Sequence, residues 1–257
     1  MKTAAELNRA RNRNRLEDTR LIMHVKVTFI ADVLGTASAD PDIHGTYVAS
    51  KIRKKQRIAE KLIRHQLTDE EKDERVRQEL EDVMNADPDQ EVAKGKTVFP
   101  RNDEGEPILF DYQVKGFFKS ACGYLRTVPE SESHNYKSYR SRIDQGIFVY
   151  SDAEKAHEAF AQGAMEDKEV REIVIHSDKP VGDCQRPLRA STPQGDRVAI
   201  SDSDSIAAGA WMIFDIVSLG GEKDREMIEE WLDYGAFNGI GGWRNARHGS
   251  FIWEYVD

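Results

Sequence analysis

The sequence contains few cysteines and no long apolar run. Only two of its 257 residues are cysteines, Cys122 and Cys184. A membrane-spanning helix needs about 18 or more consecutive apolar residues, and no such stretch occurs. The N-terminal segment also has no apolar signal core. These absences argue against a membrane protein and against a disulfide scaffold, so we expect a cytoplasmic chain with no membrane partner.

The motifs of several enzyme classes are missing as well. The seven histidines include no pair four residues apart and no HExxH, and the two cysteines form no CxxC. We therefore expect neither a bound metal nor a cofactor. No GxSxG occurs, which argues against acyl-transfer chemistry.

Charge is unevenly distributed along the chain. The formal net charge is -9, which argues against nucleic-acid binding because phosphate neutralisation supplies much of such affinity. However, residues 1–20 form a basic leader, and a second basic run at 51–64 is followed by an acidic stretch at 69–82. These runs are either solvated helix faces or a functional basic surface, and whole-chain charge does not distinguish the two.

Hydrophobic periodicity predicts alternating strands and helices. Alternation indicates strands and helical spacing indicates helices. We predict strands at 21–30, 108–112, 146–150, 169–176, 210–219 and 251–257, and helices at 114–125 and 222–234. An alanine-rich helix after residue 150 has Ser151 and Glu154 as a candidate capping box, and residues 131–141 are predicted to form a polar loop.

The order of these elements defines the expected fold. Without the insertions it reads strand, helix, strand, strand, helix, strand, which is the βαββαβ unit of ferredoxin-like and RRM-type folds. We predict an α+β fold with an antiparallel sheet, built as one domain over residues 21–257. A helical insertion at about 46–96 and a β-hairpin excursion at about 185–201 complete the prediction.

A glycine-rich segment, GIGGWRNARHGSF, lies between the last helix and the last strand. Glycine permits positive φ and close backbone approach, arginine can contact phosphate, and an aromatic ring can stack on a base. The candidate nucleic-acid contacts are Gly239, Gly241, Gly242, Trp243, Arg244, Arg247, His248 and Gly249. The alternative is a tight turn without a ligand.

The strand order and this loop resemble the RAMP (repeat-associated mysterious protein) superfamily, specifically the CRISPR backbone subunits that coat the guide RNA, or a solitary phage-borne relative. The resemblance implies RNA contact by the glycine-rich loop. It also implies contact by the helix VKGFFKSACGYLR, at Gly116, Lys119 and Arg126. In type III relatives a loop after the first strand holds an aspartate that cuts target RNA, and Asp40 and Asp42 occupy that loop here.

Two further basic segments are candidates for RNA contact. The hairpin carries Arg186, Arg189 and Arg197, which could share one face or belong to an ordinary surface hairpin. Tyrosines and cations alternate at Tyr136, Lys137, Tyr139, Arg140 and Arg142, a composition compatible with stacking and phosphate contact. His44 and His248 both lie in candidate loops, where imidazole could exchange protons.

The leading hypothesis is a non-catalytic, sequence-independent binder of single-stranded RNA that acts in antiviral defence. Its partners would be guide RNA, the target strand, copies of itself and other effector subunits. One alternative is a RAMP-type endoribonuclease that uses a loop aspartate or the His44 and His248 pair. Another is a phage or prophage adaptor that binds a protein through the hairpin and the helical insertion.

Overall fold

A four-stranded antiparallel sheet and two helices form the core of one of two compact units. The computed structural model describes residues 19–38, 96–161, 169–192 and 195–256. The strands are β1 Leu21–Phe29, β2 Val33–Leu34, β3 Ala37–Ser38, β4 Thr97–Val98, β5 Ile108–Phe110, β6 Ile147–Tyr150, β7 Glu172–Val174, β8 Gly182–Thr192, β9 Gly195–Ile206, β10 Trp211–Ser218 and β11 Phe251–Tyr255. The α-helices are α1 Asp111–Leu125, α2 Tyr139–Gly146, α3 Ala153–Ala161 and α4 Arg225–Asp233. The described residues fall into two compact units.

The first unit contains the predicted ferredoxin-like core. Its described residues lie within Met1–Gly35, Phe99–Gly182 and Ser205–Asp257. The sheet has the order β11-β1-β10-β6, and all three pairings are antiparallel. Along the chain these strands and the helices α1 and α4 follow the order β1, α1, β6, β10, α4, β11. The last strand therefore lies beside the first, as the βαββαβ unit requires, and the predicted α+β fold class is confirmed.

Alternation along the strands places the core on one face of the sheet. Met23, Val25 and Val27 of β1 are buried, and so are Met212, Phe214 and Ile216 of β10. Since successive side chains of a strand point to opposite faces, this set faces α1 and α4. Aromatic contacts complete the packing: the ring centroids lie 5.6 Å apart for Phe118 and Trp231, and 5.1 Å apart for Phe117 and Phe251.

The opposite face of the sheet carries a buried carboxylate. Asp215 alternates with Phe214 and Ile216, and it is only 5% exposed. One carboxylate oxygen accepts a hydrogen bond from the Ala153 amide at 2.6 Å, and the other lies 2.6 Å from His24 Nδ1. The start of α3 is thereby joined to this face of the sheet.

Several elements of the first unit differ from the sequence predictions. The segment 169–176 contains only a short strand, β7, which pairs with β5 in a separate two-stranded sheet. Residues 139–146 form α2 rather than part of a polar loop. At the start of α3, Asp152 Oδ1 accepts from the Glu154 and Lys155 amides at 3.0 and 2.9 Å, so Asp152 provides the cap assigned to Ser151.

The second unit holds the predicted hairpin. Its described residues lie within Thr36–Val98 and Asp183–Asp204. Here β3 pairs with β4, β4 pairs in parallel with β9 at Thr97 and Ser203, and β8 pairs with β9. The Lys96 ammonium group binds the carboxylates of Asp183 and Asp204, which raises the pKa of Lys96. Residues 46–95 of the predicted insertion lie outside the described residues.

Candidate nucleic-acid interface

The glycine-rich loop, residues 239–250, crosses over itself between α4 and β11. A Cβ atom on Gly239 would lie 1.9 Å from the carbonyl carbon and oxygen of Gly249. On Gly249 it would lie 1.8 Å from the Ile240 oxygen, and the φ of Gly249 is +70°. The Ile240 amide donates to the Gly249 carbonyl at 3.0 Å. These two glycines therefore allow a backbone crossing that a residue with a side chain would obstruct.

The same loop is bound to β2 and to the connection that precedes it. The Gly242 amide donates to the Leu34 carbonyl at 3.0 Å, and the Gly249 amide donates to the Asp32 carbonyl at 2.8 Å. Gly241 has a φ of +97°, and a Cβ there would lie 2.8 Å from the Leu34 oxygen. The loop therefore has a defined conformation, fixed by backbone contacts to a segment more than 200 residues earlier.

An exposed aromatic surface projects from this fixed backbone. Trp243 is 42% exposed, and its ring stacks on His248 with centroids 5.0 Å apart and planes 16° apart. His248 Nδ1 donates to the Asp32 carbonyl at 3.2 Å, since a carbonyl oxygen can only accept. Trp243 therefore presents a ring whose orientation is supported by a neighbouring side chain, the arrangement that base stacking uses.

The loop arginines differ from those basic side chains of the first unit that form ion pairs. Lys119 pairs with Asp144, and Arg171 pairs with Asp111 at 3.1 Å. Neither Arg244 nor Arg247 forms an ion pair with any carboxylate in the described ranges. Residues 239–250 also contain no Asp or Glu. The loop is therefore a local cationic surface on an acidic chain, and it can take up phosphate.

Two loop residues hold strained backbone conformations. Trp243 has a φ of 51° and Arg247 a φ of 67°, in the left-handed region that costs a residue with a side chain about 1–2 kcal/mol. The fixed surroundings of the loop maintain both conformations. Such strain concentrates at ligand-binding sites, and here it falls on two residues predicted to touch RNA.

The helix residues that the resemblance implied lie in different environments. Gly116 is exposed, and a Cβ there would meet no atom within 4 Å. The charge of Lys119 is compensated by Asp144. Arg126 lies over the Tyr139 ring, 5.3 Å from its centroid. Of the three, Gly116 has the most open surface for a ligand.

Of the hairpin arginines and the candidate catalytic residues, the structure describes the side chain of Arg186. In the second unit, Arg186 Nη1 donates to Ser203 Oγ at 3.4 Å, while the side chains of Arg189 and Arg197 lie outside the described residues. The candidate catalytic pair, Asp40 and Asp42, also falls outside them, and so does His44. No group of three or more His, Cys, Asp or Glu side chains that could hold a metal occurs within the described ranges.

Sequence reasoning missed the carboxylate–imidazole pair of Asp215 and His24. Its members are 191 residues apart, and only the antiparallel register of β1 and β10 places them opposite each other. The alternation of β10 contained one signal, because Asp215 is a lone charge in an apolar strand. Such a charge in a central strand indicates a buried partner.

Comparisons with known proteins give likenesses among solved structures. No family model matches the chain, and no curated protein matches it. Among solved structures, it is similar to a chain of a complex described as the Type III-B Cmr-beta bound to cognate target RNA. The identity is 8% and the TM-score 0.41, over 100% of this chain and 66% of that chain. The fold assignment rests on the strand order itself. No helix in the described part is long and apolar enough to cross a bilayer.

Proposed function

We propose that the chain binds single-stranded RNA without sequence selectivity, through the glycine-rich loop, as one of several adjacent subunits of a CRISPR-type ribonucleoprotein. The observation that carries the proposal is the pair of arginines, Arg244 and Arg247, beside the exposed ring of Trp243 on a backbone fixed by glycine contacts. Cations would bind phosphate and the ring would stack on a base. Neither interaction selects a sequence.

A fixed loop reduces the entropy lost on binding. The loop backbone is already held by its bonds to Leu34 and Asp32, so RNA would not need to order it. The overall charge of -9 opposes binding of a polyanion at long range. Salt screens that repulsion and also weakens the phosphate contacts, so the salt dependence of affinity separates local contacts from the whole-chain field.

The test is salt-dependent binding of a labelled single-stranded RNA to the full chain and to Arg244→Ala/Arg247→Ala. Each phosphate contact on a single strand contributes about 0.7 to the slope of log K against log salt, so the double variant should flatten the slope by about 1.4. Its affinity at low salt should fall by about 10- to 100-fold.

A matched control removes the same charge elsewhere. Arg101→Ala/Arg171→Ala takes two arginines from the first unit outside the loop, where Arg171 is paired with Asp111. This variant should retain the wild-type slope. Equal slopes for the loop and control variants would show that only net charge matters, and the proposal would be wrong.

A second variant tests the helix surface of the proposed interface. A Cβ at Gly116 meets no protein atom within 4 Å, so Gly116→Ala leaves the packing of the chain unchanged. If RNA passes close to the exposed side of α1, this variant should lose affinity while its melting temperature does not fall. Unchanged RNA affinity would remove α1 from the interface and leave the loop as the contact.

A further inference from the structure

A cavity of about 560 Å³ lies in the first unit, away from the residues of the glycine-rich loop. Three segments form it: the chain leading into α2, the junction between α2 and β6, and the turn from β10 to α4. The lining residues that carry its chemistry are Glu132, Tyr136, Arg142, Gly220, Lys223 and Met227. Small-molecule sites usually occupy about 300–1,000 Å³, so a mononucleotide fits this volume.

One wall of the cavity is anchored by a buried polar network. The Glu230 carboxylate accepts hydrogen bonds from Ser131 Oγ at 2.8 Å and from Ser133 Oγ at 3.3 Å. Trp231 Nε1 donates to Ser133 Oγ at 2.7 Å, and Ser133 is fully buried. The segment that carries Glu132 and Tyr136 is therefore bound to α4 and prearranged for a ligand.

The opposite wall is equally constrained. Ser218 Oγ donates to Asp224 Oδ2 at 2.5 Å, and a Cβ on Gly220 would lie 1.8 Å from that same oxygen. The Leu219 amide donates to the Gly146 carbonyl at 2.9 Å. Asp224, which also lines the cavity, is thus used to hold the turn, which leaves Lys223 as the cationic side chain that this wall offers to a ligand.

Cationic, aromatic and acidic groups meet at the cavity. The Arg142 guanidinium lies 4.7 Å from the centroid of the Tyr136 ring, so its position is supported. Neither Arg142 nor Lys223 forms an ion pair within the described part of the chain. A phosphate group can accept paired hydrogen bonds from the arginine and bind the charge of the lysine at the same time.

Glu132 is the other acidic side chain of the cavity, and it can bind a different part of a ligand from the two cations. A carboxylate near a phosphate site can accept hydrogen bonds from ribose hydroxyls, as acidic residues do in dinucleotide-binding sites. Glu132 is exposed at the cavity. We propose that this cavity binds a ribonucleotide, with its phosphate on Arg142 and Lys223, its ribose on Glu132 and its base against the Tyr136 and Arg142 pair.

The experiment is calorimetric titration of the full chain with AMP and UMP. We expect saturable binding that Arg142→Ala and Lys223→Ala each weaken by about tenfold, the effect of one charge-assisted contact. The matched control is Arg140→Ala, because Arg140 lies over Tyr139 and does not line the cavity. The control should bind as the wild type does. Glu132→Gln should reduce the preference for AMP over dAMP.

Competition identifies the source of the nucleotide. An RNA with a 5′-monophosphate that displaces AMP, where the 5′-hydroxyl RNA does not, assigns the site to an RNA end. If neither RNA competes, the ligand is a free nucleotide. No saturable binding of either mononucleotide, or equal loss in Arg140→Ala, overturns the proposal. The double variant Arg244→Ala/Arg247→Ala changes no residue that lines this cavity. This proposal therefore predicts that the double variant still binds AMP, whether or not it has lost RNA binding, so failure of one proposal can be told from failure of the other.

Discussion

Replacement of Gly249 by alanine tests whether the glycines of the loop serve its conformation. Gly249 has a φ of +70°, and the new Cβ would lie 1.8 Å from the Ile240 carbonyl oxygen. The left-handed conformation costs a residue with a side chain about 1–2 kcal/mol. Relief of the overlap also breaks the bond from the Ile240 amide to the Gly249 carbonyl, at a cost of about 0.5–1.5 kcal/mol.

The expected destabilisation is therefore about 1.5–3.5 kcal/mol. For a domain of this size each kcal/mol lowers the melting temperature by about 2–4 °C, so Gly249→Ala should melt roughly 3–14 °C below the wild type. Gly116→Ala is the control, because it adds a methyl group to an open helix surface and should stabilise the chain by about 0.5–1 kcal/mol. An unchanged melting temperature for Gly249→Ala would refute the reasoning.

Four further predictions concern buried groups of the first unit and the two thiols. Burial raises the pKa of Cys122 to about 11, so a thiol reagent at pH 8 should modify Cys184 in the native chain and both cysteines after denaturation. The pKa of Cys122 is higher in the folded chain than in the unfolded chain. The contribution of Cys122 to the free energy of unfolding is therefore complete below about pH 9 and declines as pH rises toward 11. Urea unfolding at several pH values across that range would measure the decline. Ser133→Ala removes the hydrogen-bond partner of Trp231 Nε1 and should cost about 1–3 kcal/mol in the same assay. Asp215→Asn should cost a similar amount, about 1–3 kcal/mol, because the carboxamide keeps one accepting oxygen where the carboxylate has two, so either the Ala153 amide or His24 would face its NH2 group; wild-type stability in either variant would contradict the assigned network.

Periodicity predicted the elements whose side chains meet the core. Alternation in 21–30 and 210–219 identified β1 and β10, and helical spacing identified α1 and α4, since burial on one face imposes these patterns. The start of α1 was wrong because the apolar run 108–112 resembles a strand. The helix begins at Asp111, where the Gln113 side chain accepts the Phe110 amide at 2.8 Å.

The sequence predicted which residues make up the candidate site but not the contacts that fix their positions. The glycines and arginines of residues 239–250 are evident in the sequence, but their partners Leu34 and Asp32 are more than 200 residues away. Short-range patterns contain no information on such long-range contacts. The cavity illustrates the same limit, because Tyr136 and Arg142 form a recognisable aromatic and basic pair, whereas Lys223 joins them only through the turn from β10 to α4.

The most direct test of the central claim is photo-crosslinking of single-stranded oligouridine to the full chain, with the modified peptides mapped by mass spectrometry. Trp243 offers an exposed ring, and aromatic rings that stack on bases are favoured crosslinking sites. The account predicts adducts within residues 239–250, which high salt and Arg244→Ala/Arg247→Ala should both reduce. Adducts confined to other peptides, with none in this loop, would contradict it.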